Sequence, residues 1–421
     1  MDKNTYTEKT FAIGIVLPRQ RRFLAEESFS ELKSLIHTSG VAIVSEDFCD
    51  VRQISPSTFI GSGKVEEIGR KICELKPDAI IFDVELSPAQ SRNLQEIWKV
   101  KVLDRTGLIL DIFAQRAKSK EGKLQVELAQ YEYLLPRLVG QWTHLSKQRG
   151  GGVGLRGPGE TQLEVDRRRA RERISFLRKS IERISTAREI HREKRRSVPI
   201  PTVSLIGYTN AGKSTLFNEL VAGNVLAEDK LFATLDPKTK KLRLPSGQGI
   251  LLSDTVGFIN NLPHQLIEAF KSTFEEVSDA DVLLHVIDAS HPCRDQQVAT
   301  VEKVLAELGF AEKPVIRVFN KIDALPAVLR DGIQGDVKDC VYVSGLTGEG
   351  LMDLRYAIAD IINAKHEHMC LFIPRPPGRV INDLYTHGRV LSTKEIDDGS
   401  LIEVTLPPKW ANMYELYRVA S

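Results

Sequence analysis

Hydrophobic and polar positions divide the chain into stretches with different periodicities. In the first of these stretches, short apolar runs alternate with segments whose apolar residues recur every three or four positions, as on one face of a helix. The apolar runs predict strands at 11–18, 41–48, 79–84 and 100–103. Helices are predicted at 23–36, at 65–75 and after Ser87, where Ser87 and Gln90 fit a capping box. This alternation predicts a small α/β domain over residues 1–112.

Residues 113–197 show a different pattern, with one narrow apolar seam and polar residues on the other faces. The seam follows a 4-3 spacing, at Leu128, Tyr131, Leu135 and Leu138, and again at Ala170, Ile174, Leu177, Ile181 and Ile184. Two helices with one seam each are predicted to pair as an antiparallel hairpin. They are joined by residues 140–160, a glycine-rich connection that is longer than usual and therefore functional or disordered.

Strands and helices alternate again over residues 198–364, which predicts a second and larger α/β domain. Its strands are predicted at 202–206, 241–244, 249–253, 281–288, 314–320 and 339–344. Residues 365–421 begin with several prolines and contain a distinct strand at 401–406, so they are assigned to a small α+β domain whose role the pattern does not indicate.

The strand at 202–206 runs into a glycine-rich turn and then a helix, in the pattern G-x-x-x-x-G-K-[ST]. In this context the pattern predicts a phosphate-binding loop, because glycines let backbone N–H groups surround phosphates and a helix N-terminus attracts anions. The loop residues are Gly207, Tyr208, Thr209, Asn210, Ala211, Gly212, Lys213 and Ser214. Taken alone, the pattern could be a glycine-rich turn.

Four further motifs follow in the order expected of a GTP-binding domain. One of them, Asn320–Asp323, is predicted to recognise guanine. The Asp323 carboxylate can accept hydrogen bonds from both N1–H and the 2-amino group of guanine, which selects GTP over ATP. A short S-G-L sequence would then place a backbone N–H on guanine O6. The motif residues are Phe232, Ala233, Thr234, Leu235 and Asp236; Asp254, Thr255, Val256 and Gly257; Asn320, Lys321, Ile322 and Asp323; and Ser344, Gly345 and Leu346.

The same motifs predict a Mg²⁺ site and the groups that act in hydrolysis. Mg²⁺ would be held by Ser214 and Thr234, and by Asp254 through water. Lys213, Thr234 and Gly257 are the predicted catalytic positions. Phe258 follows Gly257, where Ras-like GTPases carry the glutamine that orients water. Intrinsic hydrolysis should therefore be slow and depend on a partner, another loop or a cation.

Asn210 is a candidate for organising a monovalent cation such as K⁺ near the phosphates. The alternative, that Asn210 only stabilises the turn, has equal weight. A second phosphate loop at Gly61–Lys64 is not favoured because the first glycine of the pattern is missing. Arg52, Lys64 and Arg105 could contact a nucleic-acid backbone or be solvated.

The net charge of +2 conceals a strong asymmetry. Between Arg137 and Ser197 there are 17 Lys/Arg and 7 Asp/Glu, a local net charge of +10, so the rest of the chain carries −8. Such a segment suits a polyanion, although solvated helices paired by i,i+4 contacts are the commoner explanation of charge runs. In the connection, an aromatic residue interleaved with cations suits unstacked RNA bases and phosphates. The candidate RNA contacts are Trp142, Lys147, Arg149 and Arg156.

Composition adds a cellular context. Five scattered cysteines without a C-x-x-C pair favour a reduced, cytoplasmic protein over a disulfide framework or a zinc site. No apolar run approaches the ~20 residues of a membrane span, and the polar N-terminus is not typical of a signal peptide. Cytoplasmic location, with peripheral association with ribosomes or a membrane, is expected, and a monomer is the expected oligomeric state.

In these motifs the chain resembles the HflX family of ribosome-associated GTPases. The resemblance is most specific at 150–161 with the arginine-rich helix behind it, at 207–215, at 232–237 and at 254–262 continuing to 273–276. It implies an N-terminal α/β subdomain, a helical hairpin, a P-loop GTPase domain and a short C-terminal domain. It also implies binding to the 50S large ribosomal subunit, with the 150–160 loop reaching ribosomal RNA and with splitting of stalled ribosomes.

The sequence therefore predicts a GTP hydrolase that binds the large subunit with GTP and leaves after stimulated hydrolysis. A ribosome-assembly or RNA-modification GTPase acting on precursor RNA is one alternative. A GTP-gated RNA-binding module with negligible turnover is another.

Overall fold

The computed structural model describes residues 8–138, 162–196, 200–221, 232, 238–260, 275–326, 340–364, 367–375, 380–396, 398–406 and 408–419. These residues form two compact units. The first contains 8–138, 162–185, Phe232 and Asn260, and the second contains the others. The domain bounds predicted above, at 1–112, 113–197, 198–364 and 365–421, remain predictions.

The N-terminal part of the first unit is a parallel four-stranded sheet in the order β2-β1-β3-β4. Its strands are β1 Lys9–Val16, β2 Ala42–Asp50, β3 Ala79–Phe82 and β4 Lys101–Asp104. The helices that follow them are α1 Arg22–Ser39, α2 Ser62–Leu75, α3 Pro88–Trp98 and α4 Arg105–Arg116. The apolar strand residues form the core, with Phe11, Ile13, Ile80 and Phe82 almost fully buried. The predicted α/β domain is confirmed.

Local sequence signals explain several helix starts. The hydroxyl of Ser87 accepts from the Gln90 N–H at 3.2 Å, and the Gln90 side chain accepts from the Ser87 N–H at 2.9 Å. The predicted capping box is thus present at the start of α3. Gly61 is the N-cap of α2, which confirms that Gly61–Lys64 starts a helix.

Two cations that could have contacted a nucleic acid are instead held within the sheet domain. Arg105 is 3% exposed and its guanidinium pairs with Asp83 at 2.6 Å and with Glu31. Lys64 pairs with Asp47 and Glu67. Burial of Arg105 rules out its solvated or RNA-contacting alternatives, because an apolar neighbourhood accepts a charge only when it is paired.

Two helices continue the first unit with the predicted seams. They are α5, Lys120–Leu134, followed by a 3-10 turn at Leu135–Leu138, and α6, Gln162–Arg196, which belongs to this unit as far as Ser185. Leu128 of α5 and Ala170 and Leu177 of α6 are buried. Arg173 contacts Glu127 at 2.6 Å and Arg178 contacts Glu132 at 2.7 Å, which join the two helices. The paired positions advance in the same direction along both helices, so these contacts do not support the predicted antiparallel pairing.

The second unit contains a six-stranded sheet in the order β10-β9-β8-β5-β7-β6. All neighbours run parallel except β6, which is antiparallel to β7. Its strands are β5 Thr202–Gly207, β6 Lys238–Arg243, β7 Gly249–Asp254, β8 Val282–Asp288, β9 Val315–Asn320 and β10 Cys340–Tyr342. Its helices are α7 Lys213–Val221, α8 Glu275–Ser278, α9 Arg294–Glu307 and α10 Leu351–Ala364. The carboxyl ends of β5, β7, β9 and β10 lead into the nucleotide motifs, at the edge where ligands of parallel sheets bind.

The C-terminal residues form an antiparallel sheet in the order β11-β13-β12. Its elements are β11 Glu367–Pro374, α11 Val380–His387, β12 Arg389–Ile396, β13 Gly399–Leu406 and α12 Pro408–Tyr414. Residues Leu371, Ile402 and Val404 are fully buried in its core. This is the predicted small α+β fold. Among the helices described here, none has the length and hydropathy to span a bilayer.

Candidate nucleotide-binding site

The backbone of the phosphate loop is shaped by residues in the left-handed region. Gly207 ends β5 with φ +148, and a Cβ there would overlap the Val286 carbonyl oxygen of β8. Gly212 has φ +89 and Asn210 has φ +60. Only glycine fits Gly207, because both the dihedral angle and the close strand exclude a side chain. The glycines predicted to form the loop are thus needed for its geometry.

Lys213 starts α7 and lies inside the loop. Its ammonium donates to the carbonyl oxygens of Gly207 at 3.1 Å and Tyr208 at 2.7 Å. Burial lowers the pKa of Lys213 to about 8, although the nearby Asp254 carboxylate opposes this shift. A phosphate would supply further negative charge beside the buried ammonium.

The predicted Mg²⁺ ligands of the described residues lie together. The Ser214 hydroxyl donates to Asp254 Oδ2 at 2.8 Å, and Asp254, at the end of β7, is fully buried. A hydroxyl and a carboxylate beside a phosphate site are the oxygen donors that Mg²⁺ prefers, with phosphates and water completing its shell. The donor set therefore fits Mg²⁺.

The D-x-x-G segment lies directly against the phosphate loop. A Cβ on Gly257 would be 2.9 Å from Lys213 Nζ and 2.9 Å from Thr209 Cγ2. The Phe258 N–H donates to Gly207 O at 3.0 Å, and the Thr209 N–H donates to Phe258 O at 2.7 Å. The Phe258 side chain is 1% exposed. It is therefore buried as well as apolar, and orients no water at the phosphates.

Asn320 joins the phosphate loop to the S-G-L loop. At the end of β9, its amide nitrogen donates to Ala211 O at 2.9 Å. Its amide oxygen accepts from the Gly345 N–H at 2.9 Å. The residue is 2% exposed, so both bonds are protected from water. The phosphate loop and the S-G-L loop are therefore held in register by one side chain.

The guanine-recognition carboxylate is also held. The Ser344 hydroxyl donates to Asp323 Oδ1 at 2.5 Å. The Gly345 N–H donates to Asn320, and the Leu346 N–H donates to the Ser344 hydroxyl at 3.3 Å. The contact of an S-G-L backbone N–H with guanine O6 stays a prediction. The contact of Asp323 with the base edge stays a prediction.

Phe232 is placed differently from the other predicted nucleotide contacts. It belongs to the first unit, where its ring packs edge-on against Phe113 of α4 with ring centroids 4.6 Å apart. It is 3% exposed. Its side chain is thus occupied by an aromatic partner, and a role at the nucleotide stays a prediction.

Several predicted residues lie outside the described part of the chain. Those near the nucleotide are Ala233, Thr234, Leu235 and Asp236, and the RNA candidates are Trp142, Lys147, Arg149 and Arg156. Sequence reasoning also missed Asp288, which lies at the end of β8 and pairs with Lys321 of the guanine motif at 2.7 Å. Its signal is only a strand-ending aspartate, to which no motif draws attention.

A buried histidine beneath the site leads to a pH prediction. His285 in β8 is 2% exposed. Burial, assisted by the charges of Arg317 and Lys213, lowers its pKa from 6.5 to about 4. As the pH falls, His285 is therefore protonated in the unfolded chain before it is protonated in the folded protein. The free energy of unfolding decreases between pH 6.5 and 4, by about 3 kcal/mol in total.

The measurement is hydrogen exchange of the β8 amides at pH 7.5 and 4.5, in the protein and in His285→Leu. Between pH 7.5 and 4.5, we expect the protection of the β8 amides to decrease less in His285→Leu than in the unmodified protein. Because the two proteins are compared at the same pH, differences in intrinsic exchange rate and the effects of carboxylates present in both proteins cancel. Equal losses of protection would show that His285 does not carry this effect.

Comparison with known proteins gives three consecutive family matches. A model described as GTP-binding GTPase N-terminal matches residues 26–114, and GTP-binding GTPase Middle Region matches 116–195. A model described as 50S ribosome-binding GTPase matches 202–321.

Three relatives named GTPase HflX are similar over most of their length. The protein of Lacrimispora saccharolytica is 46% identical over 91% of this chain and 90% of its own. The Magnetococcus marinus protein is 45% identical over 95% and 93%. The Escherichia coli protein is 43% identical over 90% of both chains.

Proposed function

Because the chain belongs to the HflX family of GTPases, we propose that its GTP-bound form binds the large ribosomal subunit and that hydrolysis, stimulated there, releases it. The proposed setting is the splitting or rescue of stalled ribosomes in the cytoplasm. The family establishes GTP hydrolysis, and the ribosome step is the proposal.

The chemistry asked of the protein is positioning and charge stabilisation. Lys213 would move from the loop carbonyls to the phosphates, and the Gly257 N–H would contact the γ-phosphate. Ser214 would hold Mg²⁺ with Asp254 acting through water, and Thr234 would be a further ligand. When bound, Mg²⁺ neutralises charge on the β- and γ-phosphates.

The observation that carries the partner requirement is the buried ring of Phe258. A phenyl group forms no hydrogen bond with water, and at 1% exposure it has no access to the reacting phosphate. A water-orienting group must then come from elsewhere. A stimulating ribosome fits this need, as does a monovalent cation beside Asn210, which is exposed on the phosphate loop.

A second feature supports RNA as the partner. Helix α6 exposes cations along much of its described length, among them Arg169, which is 71% exposed, Lys179 and Arg183. Phe176, an aromatic residue that is 56% exposed, lies among them along the helix, and the Arg173 guanidinium lies over its ring, 5.3 Å from the centroid. At 100° per residue, positions 169, 176 and 183 fall on one face of the helix. An exposed ring between cations suits a stacked base with flanking phosphates.

The test is the GTPase rate of the protein alone and with purified large subunits, each in K⁺ and in Na⁺. We expect at least a tenfold increase with subunits, and tighter, salt-sensitive binding with a GTP analogue than with GDP. Absence of stimulation with GTP still bound would contradict the proposal. Preferential binding to precursor RNA would favour the assembly GTPase instead.

Phe176→Ala should weaken binding to the large subunit about tenfold, since base stacking contributes roughly 1–3 kcal/mol. Intrinsic hydrolysis should not change. Phe176→Trp keeps a stacking surface and serves as the matched control, which should bind like the unmodified protein. Binding is measured by sedimentation with a GTP analogue at two salt concentrations. Equal binding by the alanine and tryptophan variants would exclude stacking at this position.

A further inference from the structure

Asp288, the last residue of β8, uses both of its carboxylate oxygens. Oδ1 accepts from the Ser290 N–H at 3.0 Å and from the Ser290 hydroxyl at 2.6 Å. Oδ2 lies 2.7 Å from Lys321 Nζ. Asp288 is 8% exposed, so the ion pair is largely removed from water on one side. One oxygen thus shapes the turn after β8, and the other reaches a residue of the guanine motif.

Lys321 occupies a constrained position. It has φ +62, in the left-handed region that is unfavourable for a lysine. Its stem runs beside the phosphate loop, since its Cε is 3.9 Å from the place where a Cβ on Gly212 would lie. A long side chain of this kind would otherwise sample many rotamers. The ion pair with Asp288 selects one of them.

The other two polar residues of the motif are held in a similar way, Asn320 by two loops and Asp323 by Ser344. Asp288 is also tied to the motif through the backbone. It lies opposite Asn320 in the β8–β9 register, and the Ala289 N–H donates to Asn320 O at 2.9 Å. The Lys321 contact therefore completes a set in which every polar side chain of the motif has a partner.

We propose that Asp288 is a positioning residue for guanine-nucleotide binding, acting through Lys321. By holding the lysine stem along the phosphate loop, it forms that part of the site before the nucleotide arrives, which reduces the ordering cost of binding. The effect falls equally on GDP and GTP because the γ-phosphate is not involved. It leaves base choice unchanged because Asp323 reads the base edge.

The test uses the full chain without ribosomes, so failure of the ribosome proposal would not affect it. Asp288→Asn keeps an acceptor for Ser290 and loses the charge. We expect the Kd values of GDP and of a non-hydrolysable GTP analogue to rise together about tenfold. Turnover at saturating GTP should change less than twofold, and the ratio of GDP to IDP affinity should stay constant.

Two further variants separate positioning from turn structure. Ser290→Ala removes the hydroxyl bond but leaves the ion pair, and should change affinity less than twofold. Lys321→Met keeps the stem without the ammonium, and should by itself weaken binding about tenfold. In that background, Asp288→Asn should add less than a further twofold loss, because the two residues act as a unit.

Several outcomes would overturn the proposal. A Ser290→Ala variant as weak as Asp288→Asn would reduce Asp288 to a turn residue. Additive losses in the double variant would separate Asp288 from Lys321. A fall in saturated turnover, or a changed GDP-to-IDP ratio, would place its effect on hydrolysis or base choice. If Asp288→Asn does not fold, unchanged nucleotide affinity in Lys321→Met alone would be sufficient to refute the proposal.

Discussion

Asp323→Asn should weaken GTP binding by roughly 10²- to 10⁴-fold and make the protein accept XTP. The carboxylate can receive hydrogen bonds from guanine N1–H and from its 2-amino group, and each charge-assisted bond contributes about 1.5–3 kcal/mol. An amide faces the 2-amino group with its own NH₂. Xanthine replaces that amino group by a carbonyl oxygen, which the amide can satisfy.

The measurement is competition of GDP, XDP and IDP against a fluorescent nucleotide. Ser344→Ala is the matched control, because it leaves the Asp323 carboxylate in place and removes a hydroxyl that supports Asp323 Oδ1 at 2.5 Å and accepts from the N–H groups of Leu346 and Thr347. This control should lose affinity modestly while keeping its preference for guanine. If Asp323→Asn still prefers GDP to XDP, the assignment of Asp323 to the base edge is wrong.

Asn320→Ala should lower the affinity for GDP and GTP by about 10²-fold. The change leaves Ala211 O and the Gly345 N–H without their partner, in a place where the side chain is 2% exposed. Each buried group that loses its hydrogen bond costs about 1–3 kcal/mol. The phosphate loop and the S-G-L loop would then be ordered separately when nucleotide binds.

Titration with a fluorescent GDP analogue measures this loss. Met352→Ala, on the same unit but 51% exposed on α10, controls for a general effect of substitution and should bind normally. Asn320→Asp keeps the acceptor for Gly345 but loses the donor to Ala211, so it should not restore affinity. Full affinity in Asn320→Asp would show that only the acceptor matters.

The place of the described nucleotide motifs in the fold could be predicted, because each motif is a short contiguous sequence. Each motif follows an apolar run, and parallel strands bring their carboxyl ends to one edge of a sheet. Ser214 and Asp254 are distant in sequence yet lie 2.8 Å apart for this reason. Strand positions were right to within a few residues because buried parallel strands form continuous apolar runs.

Contacts between side chains of distant elements could not be predicted in the same way. In the sequence, Arg105 is an arginine directly after a strand, and nothing there distinguishes it from a solvated residue. Only the packing of the folded domain brings Asp83 and Glu31 to it. Helix α4 was missed since its apolar residues point in most directions, with Leu108, Ile109 and Leu110 all buried. Asp288 was missed because nothing in the sequence indicates that its carboxylate pairs with Lys321.

The buried Phe258 also has a consequence for how much GTP the protein consumes. Under the proposed function, hydrolysis would be slow between encounters with the large subunit, and the protein would stay bound to GTP until it meets one. The rate of GTP consumption would then depend on the number of ribosomes available to stimulate hydrolysis, and not on the amount of this protein in the cell. Raising the concentration of this protein alone would increase the amount of GTP-bound protein that is not on a ribosome, and would hardly change GTP consumption.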